Sequence, residues 1–276
     1  MSPVKPIKTF RDLLSFLTII PVGGKEDFIF TTAEHVYLFP LIGGFIGLLG
    51  ATYFVGSSYI MRFLLGLANQ IIALPTDFLS KLAVSAMTVA FLLVITGLQH
   101  FDGLIDLGNA VGLGNLHDRK MVAHAWTVTS TGAVLAIIVE FAAFAGLFFV
   151  NPLFAFGALI AAEVSAKLAM VTIVWIGKPT HKGLGSIFLQ KAKKKLNIAA
   201  YALSVLVVFP FFAFTNNHFL AFVVVGVVLL SIPVALVMER VSESVFGGVS
   251  GDTIGATNEV ARAVTLILLA VVLLLL

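Results

Sequence analysis

Apolar stretches separated by short polar segments run the whole length of the chain, and their length decides what they are. A hydrocarbon core of roughly 30 Å needs about 20 apolar residues per helix. Seven stretches approach that length: residues 37–60, 79–98, 132–150, 153–176, 197–214, 219–238 and the short 263–276. The pattern therefore predicts an all-α, polytopic integral membrane bundle of about seven transmembrane helices, with six to eight as the range. Phe10 to Val22 is amphipathic, is interrupted by Arg11 and Asp12 and is stopped by Pro21, which predicts a helix lying in the membrane interface. Met61 to Leu74 reads as a re-entrant or surface helix. Gly43, Gly44, Gly47 and Gly50 sit inside the first long run, where small residues let membrane helices approach closely. With neither a linker nor an internal repeat in view, residues 1–276 read as one transmembrane domain.

Composition agrees with a bilayer as solvent. Hydrophobic residues make up 59% of the chain, charged residues 11%, and the mean hydropathy is +1.08. A soluble domain of this size would have to expose large apolar patches. The lack of cysteine excludes disulfides, thiolate nucleophiles and Cys-bound metals. The basic N-terminal arm, with Pro3 and Pro6, is not followed by the apolar run and small-residue site of a cleaved signal. A net charge of +3 is too small to imply a nucleic-acid partner.

The placement of charge adds topology. Alternating the spans puts the N-terminal segment 1–35 and the loops 99–131, 177–196 and 239–262 on one face. That face collects Lys5, Lys8, Arg11, Lys25, Arg119, Lys120, Lys178, Lys182, Lys191, Lys193, Lys194, Lys195, Arg240 and Arg262, against Arg62 and Lys81 opposite and Lys167 within a span. The positive-inside bias makes the basic face cytoplasmic, in a multi-pass cell-membrane protein with lipid as a partner. Whether copies assemble into a homo-oligomer stays open.

Chemistry concentrates in the three loops of that face. After the second span come His100, Asp102, Asp106 and Asn109; on a helix, the two acids and the amide share one side. Carboxylates at that spacing repel unless a cation neutralises them, and Mg²⁺ binds through one or two carboxylates plus substrate phosphates; solvated acids at a helix end are the plainer alternative. His100 is a candidate metal ligand or general base. The second loop carries Lys178, Lys182, Gly183 and Gly185, whose cations and backbone N–H groups suit phosphate oxygens; ordinary topological charge is its rival explanation. The third, Gly247 to Glu259, holds four glycines within nine residues, with Gly251, Asp252, Asn258 and Glu259 as candidates, and the glycines indicate close backbone approach or a tight turn. Inside the spans Glu140, Glu163 and Lys167 need partners, and Glu163 and Lys167 are spaced as an i,i+4 pair that either neutralises itself or faces substrate.

Taken together these segments resemble the cobalamin synthase family, the membrane-bound adenosylcobinamide-GDP ribazoletransferases. The resemblance runs in order through LSFLTIIPV (14–22), FPLIG (39–43), HFDGLID (100–106), KPTHKGLGSIF (178–188) and GGVSGDTIGATNE (247–259), the last being the most specific. It implies a Mg²⁺-dependent transfer in which a hydroxyl of α-ribazole, or of its 5′-phosphate, attacks the cobinamide-side phosphorus of adenosylcobinamide-GDP and GMP leaves. On that resemblance Asp102, Asp106 and Asp252 hold metal, Glu259 completes the metal or nucleophile site, His100 is base or orienting group, and Lys178 and Lys182 offset phosphate charge. Gly183, Gly185, Gly251, Asn109, Asn258 and Lys167 are the further candidates for substrate contact. The chain departs from the family pattern at Asn109 and Ala125, aligned with acids, and at Lys178, aligned with arginine; Asp118 is the nearby carboxylate that could be recruited. Two alternatives stand beside it. A CDP-alcohol phosphatidyltransferase-like enzyme shares Asp-rich helix ends, although its Asp-Gly-x-x-Ala-Arg pattern is missing, and a transporter would use Glu140, Glu163 and Lys167 at its midplane.

Overall fold

The computed structural model describes residues 4–22, 28–123, 125, 127–192, 194–213 and 218–275. Lys25, Lys193 and the turn from Thr215 to Asn217 lie outside them. The described residues form thirteen α-helices: α1 (Val4–Leu17), α2 (Phe28–Glu34), α3 (Phe39–Ala68), α4 (Thr76–Ile95), α5 (Gln99–Val111), α6 (Leu116–Ala123), α7 (Ser130–Phe149), α8 (Pro152–Ile176), α9 (Leu184–Lys191), α10 (Ile198–Ala213), α11 (His218–Leu229), α12 (Ser231–Phe246) and α13 (Gly251–Leu275). Seven segments are long and apolar enough to cross a membrane: Val36–Ala68, Thr76–Ile95, Ser130–Phe149, Pro152–Ile176, Lys194–Ala213, Phe219–Phe246 and Gly251–Leu275. The chain is a multi-pass, all-α membrane protein.

The central element is α8, buried on nearly all sides by α3, α10, α11, α12 and α13. Small residues make this possible. A Cβ added at Gly43 would fall 2.5 Å from the Glu163 carbonyl oxygen, and one at Gly47 would fall 2.6 Å from Ile160 Cα, so α3 rides directly on the α8 backbone. Large apolar side chains such as Ile137, Phe141 and Leu206 point outward, as a bilayer solvent requires.

Three span boundaries differ most from the sequence reading, the sixth span running to Phe246 rather than 238. Met61 to Leu74 is neither re-entrant nor a surface helix: α3 continues unbroken to Ala68, and a turn closes where the Leu74 amide donates to Asn69 Oδ1 at 2.7 Å. The last span begins at Gly251 rather than 263. Its first three turns carry Thr253, Thr257, Asn258, Glu259 and Arg262, all buried against other helices, and a polar face turned inward hides a span from any hydropathy window. The loop 239–262 therefore shrinks to residues 247–250 between α12 and α13, and most of 99–131 is the helical pair α5 and α6. Arg262 leaves the topological charge count, since it lies inside the bundle.

Candidate active site

One cavity, about 640 Å³, opens where the three chemistry-bearing segments meet. Its polar end is made by the first turns of three helices. α5 starts there with Gln99, His100 and Asp102, α9 with Leu184 and Gly185, and α13 with Gly251 and Asp252. Helix N-termini present unpaired N–H groups and the positive end of the peptide dipole, so three converging on one space create a site for anions.

Local sequence explains the convergence. Gly97 and Leu98 both adopt left-handed backbone, φ 69° and 59°, which turns the chain sharply out of α4 into α5. A Cβ on Gly103 would come within 2.5 Å of the Asp252 carbonyl oxygen, so α5 lies directly against the start of α13. A Cβ on Gly185 would come within 2.5 Å of the Gly251 nitrogen, which brings in α9. Ser250 caps α13: its Oγ accepts from the Thr253 amide at 3.2 Å, while the Ser250 amide donates to Thr253 Oγ1 at 2.9 Å. The linkers are latched to each other, with the Val249 amide donating to the Lys178 carbonyl at 2.7 Å and the Thr180 amide to the Val249 carbonyl at 3.2 Å. The close approach expected of the glycine-rich segment is thus made largely to another stretch of backbone: a Cβ on Gly248 would strike the Lys178 carbonyl and the Thr180 amide.

Asp102 and Asp252 line the cavity, and Asp106 stands one turn behind Asp102. Partial burial, followed by the negative charges of Asp252 and Asp102, pushes the Asp106 carboxyl up to about 7. Among the described residues no three His, Asp or Glu side chains form a ready-made ion cage.

His100 also lines the cavity and is nearly buried. Its pKa lies well below the ordinary imidazole value, because of burial first and then the positive charges of Lys167 and Arg262. Nδ1 faces Glu259 Oε1 at 3.8 Å. Behind that carboxylate is a wholly buried polar network. Arg262 binds Glu259 and, through Nε, Glu163; Lys167 Nζ donates to Asn258 Oδ1 at 2.7 Å and to Glu163 Oε2 at 3.4 Å; Asn258 Nδ2 donates to Glu259 Oε1 at 3.0 Å. Glu140 of α7 lies within electrostatic reach of Arg262.

Not every candidate reaches the cavity wall. Lys167, Asn258 and Glu259 sit in the network behind it, occupied by one another. Lys178 and Lys182 are exposed beside it and do not line it. Asn109 is committed to the chain ahead of α7: Oδ1 accepts from the Thr129 amide at 2.9 Å and its hydroxyl at 2.8 Å, and Nδ2 donates to the Thr127 carbonyl at 2.9 Å. Asp118 lies at the start of α6, its amide donating to Asn115 Oδ1 at 2.8 Å, and Ala125 is exposed. Three contributors were missed. His181 and Gln99 line the cavity; both lie in segments that had been singled out, but no spacing marked them. Arg262 looks in sequence like one more topological cation, and its three-residue distance from Glu259, itself seven residues or two turns after Asp252, is the signal that it could follow Glu259 on one face of α13.

The comparisons accord with this arrangement. The family model described as Cobalamin-5-phosphate synthase matches residues 9–270. The chain is 30% identical over 268 residues to the adenosylcobinamide-GDP ribazoletransferase of Methanocella arvoryzae, covering 93% of this chain and 92% of the relative. It is 30% identical over 286 residues to the protein of that name in Methanosarcina barkeri, covering 96% and 92%, and 29% identical over 274 residues to that of Haloquadratum walsbyi, covering 93% and 94%. No solved structure matches the chain. A family match across nearly the whole length, together with relatives of the same length, establishes that this chain belongs to the cobalamin-5-phosphate synthase family.

Proposed function

We propose that the chain transfers the adenosylcobinamide phosphoryl group from adenosylcobinamide-GDP to α-ribazole or its 5′-phosphate, releasing GMP, with the chemistry carried out in the cavity at the α5, α9 and α13 N-termini. The observation that carries this reading is the convergence of those three helix starts around Asp102, Asp106 and Asp252. The ribazole hydroxyl oxygen forms a bond to the cobinamide-side phosphorus, the bond from that phosphorus to the GMP oxygen breaks, and GMP departs with the electron pair. The helix N-termini, with Gly185 and Gly251, bind non-bridging phosphate oxygens through backbone N–H groups, stabilising the charge that develops, while the Gly183 amide donates to Ser186 Oγ at 3.0 Å and caps α9. Lys178 and Lys182 attract the anionic donor from the rim.

His100 is the candidate acceptor of the hydroxyl proton. Its neighbours keep the ring neutral, and Glu259 beside Nδ1 favours the tautomer that leaves Nε2 free to take a proton. Arg262, Lys167 and Asn258 hold Glu259 in place. The donor set suits Mg²⁺: carboxylate oxygens that repel one another are relieved by a divalent cation, and Mg²⁺ characteristically takes one or two carboxylates with substrate phosphates rather than a full protein cage. Asp102, Asp106 and Asp252 would hold it. When bound it would neutralise diphosphate charge.

The excess of basic residues that the sequence assigns to this face persists with Arg262 removed from the count, which supports a cytoplasmic site in the cell membrane. The test is incubation of purified protein with adenosylcobinamide-GDP, ribazole or its 5′-phosphate and Mg²⁺. GMP release that falls at least about a hundredfold in Asp102→Ala and Asp252→Ala is expected. Equal release by all three proteins rejects the site.

A further inference from the structure

The helix starts supply only part of the cavity wall. It is also lined by aromatic rings from four elements: Phe16 of α1, Phe28 of α2, Phe39 at the start of α3 and Phe188 of α9, with Met170 of α8. The rings pack on one another. Phe16 and Phe188 have centroids 4.9 Å apart with planes inclined 34°, Phe39 and Phe188 6.2 Å and 58°, and Phe16 and Phe28 6.5 Å and 53°. These are the separations of mutually supporting aromatic pairs. Phe39 and Phe188 are only 1% and 4% exposed, so the wall is held by the core. Rings that merely face lipid, such as Phe141, stand on the outer surface; these four enclose a space continuous with Asp102 and Asp252.

We propose that this aromatic end seats the flat heteroaromatic base of the nucleoside acceptor, so that Phe16 and Phe188 determine acceptor affinity and base selectivity. The assignment rests on the phosphotransfer reading above. An uncharged bicyclic base has two apolar faces that aromatic side chains cover, and stacking of this kind is strong and favours the larger ring system. A base placed there directs its ribose toward the helix starts, where the hydroxyl must meet phosphorus. The reverse orientation would put a charged diphosphate among four phenyl rings, at a desolvation cost nothing there offsets. A cavity of about 640 Å³ accommodates a nucleoside with the terminal phosphates of the donor but not the corrin macrocycle as well, so the macrocycle remains at the mouth.

The experiment compares steady-state kinetics of the full chain with Phe16→Ala, Phe16→Leu and Phe188→Leu, using the lipid-facing Phe141→Ala as control. Phe16→Ala should raise KM for ribazole about tenfold or more while KM for adenosylcobinamide-GDP stays within about twofold, with Phe16→Leu intermediate and Phe141→Ala unchanged. The intact protein should favour a benzimidazole nucleoside over one with a single-ring imidazole base by about tenfold, a preference that shrinks in Phe16→Ala. Equilibrium dialysis of ribazole without donor gives a second readout, independent of turnover. A donor KM that rises while the ribazole KM holds overturns the assignment, and so does ribazole binding that Phe16→Leu and Phe188→Leu leave intact, or a lipid acyl chain in the aromatic end that ribazole does not displace. Absence of GMP release by the intact protein would sink the catalytic reading instead, while the dialysis still decides the aromatic seat.

Discussion

Asp106 and Arg262 show how single residues set the properties of the site. With its carboxyl pushed up to about 7, Asp106 retains its proton through much of the neutral range before a cation binds. Binding of the proposed Mg²⁺ would have to expel that proton, so its affinity would fall as pH drops below about 7. Half-maximal activation should need roughly tenfold more Mg²⁺ at pH 6 than at pH 8 in a magnesium titration of GMP release, and Asp106→Asn should flatten that dependence. The stability sign follows from the same shift: a carboxyl pKa raised on folding favours the folded state at low pH, and this contribution is lost as pH rises through about 7, a loss that Asp106→Asn should remove from metal-free melting curves. Arg262 is wholly buried and bound to Glu163 and Glu259. Arg262→Met strands two carboxylates, a change that typically costs about 3–5 kcal/mol. A large drop in detergent melting temperature is expected, and Arg262→Lys should recover part of the stability but less of the activity, because an ammonium lacks the fork that spans both partners.

At the level of elements, what was legible depended on which way polarity pointed. The spans at 132–150 and 153–176 stood out because only Glu140 in the first and Glu163 and Lys167 in the second interrupt long apolar runs, and α7 and α8 lie within about two residues of those bounds. α13 was only half legible, since the buried polar face that shapes the site also depressed its hydropathy. The motif segments were readable as chemistry but not as helix starts: nothing in HFDGLID or GLGSIF says that both begin helices aimed at one point. The aromatic end was illegible altogether, as its four phenylalanines are among 25 in the chain and come from separate elements. Contacts between α5 and α13 lead to a sharp expectation. Gly103→Val forces side-chain atoms into the Asp252 backbone, an overpacking that costs about 1–3 kcal/mol. Activity should fall by more than the stability loss explains, as the two carboxylates are driven apart; kcat measured below the melting transition separates the two effects.

The molecule as a whole gathers its chemistry at one end of a seven-span bundle. Sidedness can be read without background, because the chain has no cysteine. Lys191→Cys, in the exposed last turn of α9, and Asn69→Cys, in the turn after α3, lie at opposite ends. A membrane-impermeant maleimide should label Asn69→Cys in intact cells and Lys191→Cys only after the membrane is opened. The reverse pattern would invert the topology.

The salt-bridged pairing of α8 with α13 also bears on how the chain is made. Glu163 and Lys167 enter the bilayer on the fourth span as an i,i+4 pair 3.4 Å apart, before Glu259 and Arg262 have been synthesised, so each offsets part of the insertion penalty of about 2.5–3.5 kcal/mol that an isolated charge at mid-membrane carries. The final helix then adds Arg262 to Glu163 and Asn258 to Lys167, so a chain ending before α13 should still insert its fourth span but lack the cross-links that fix the wall behind His100.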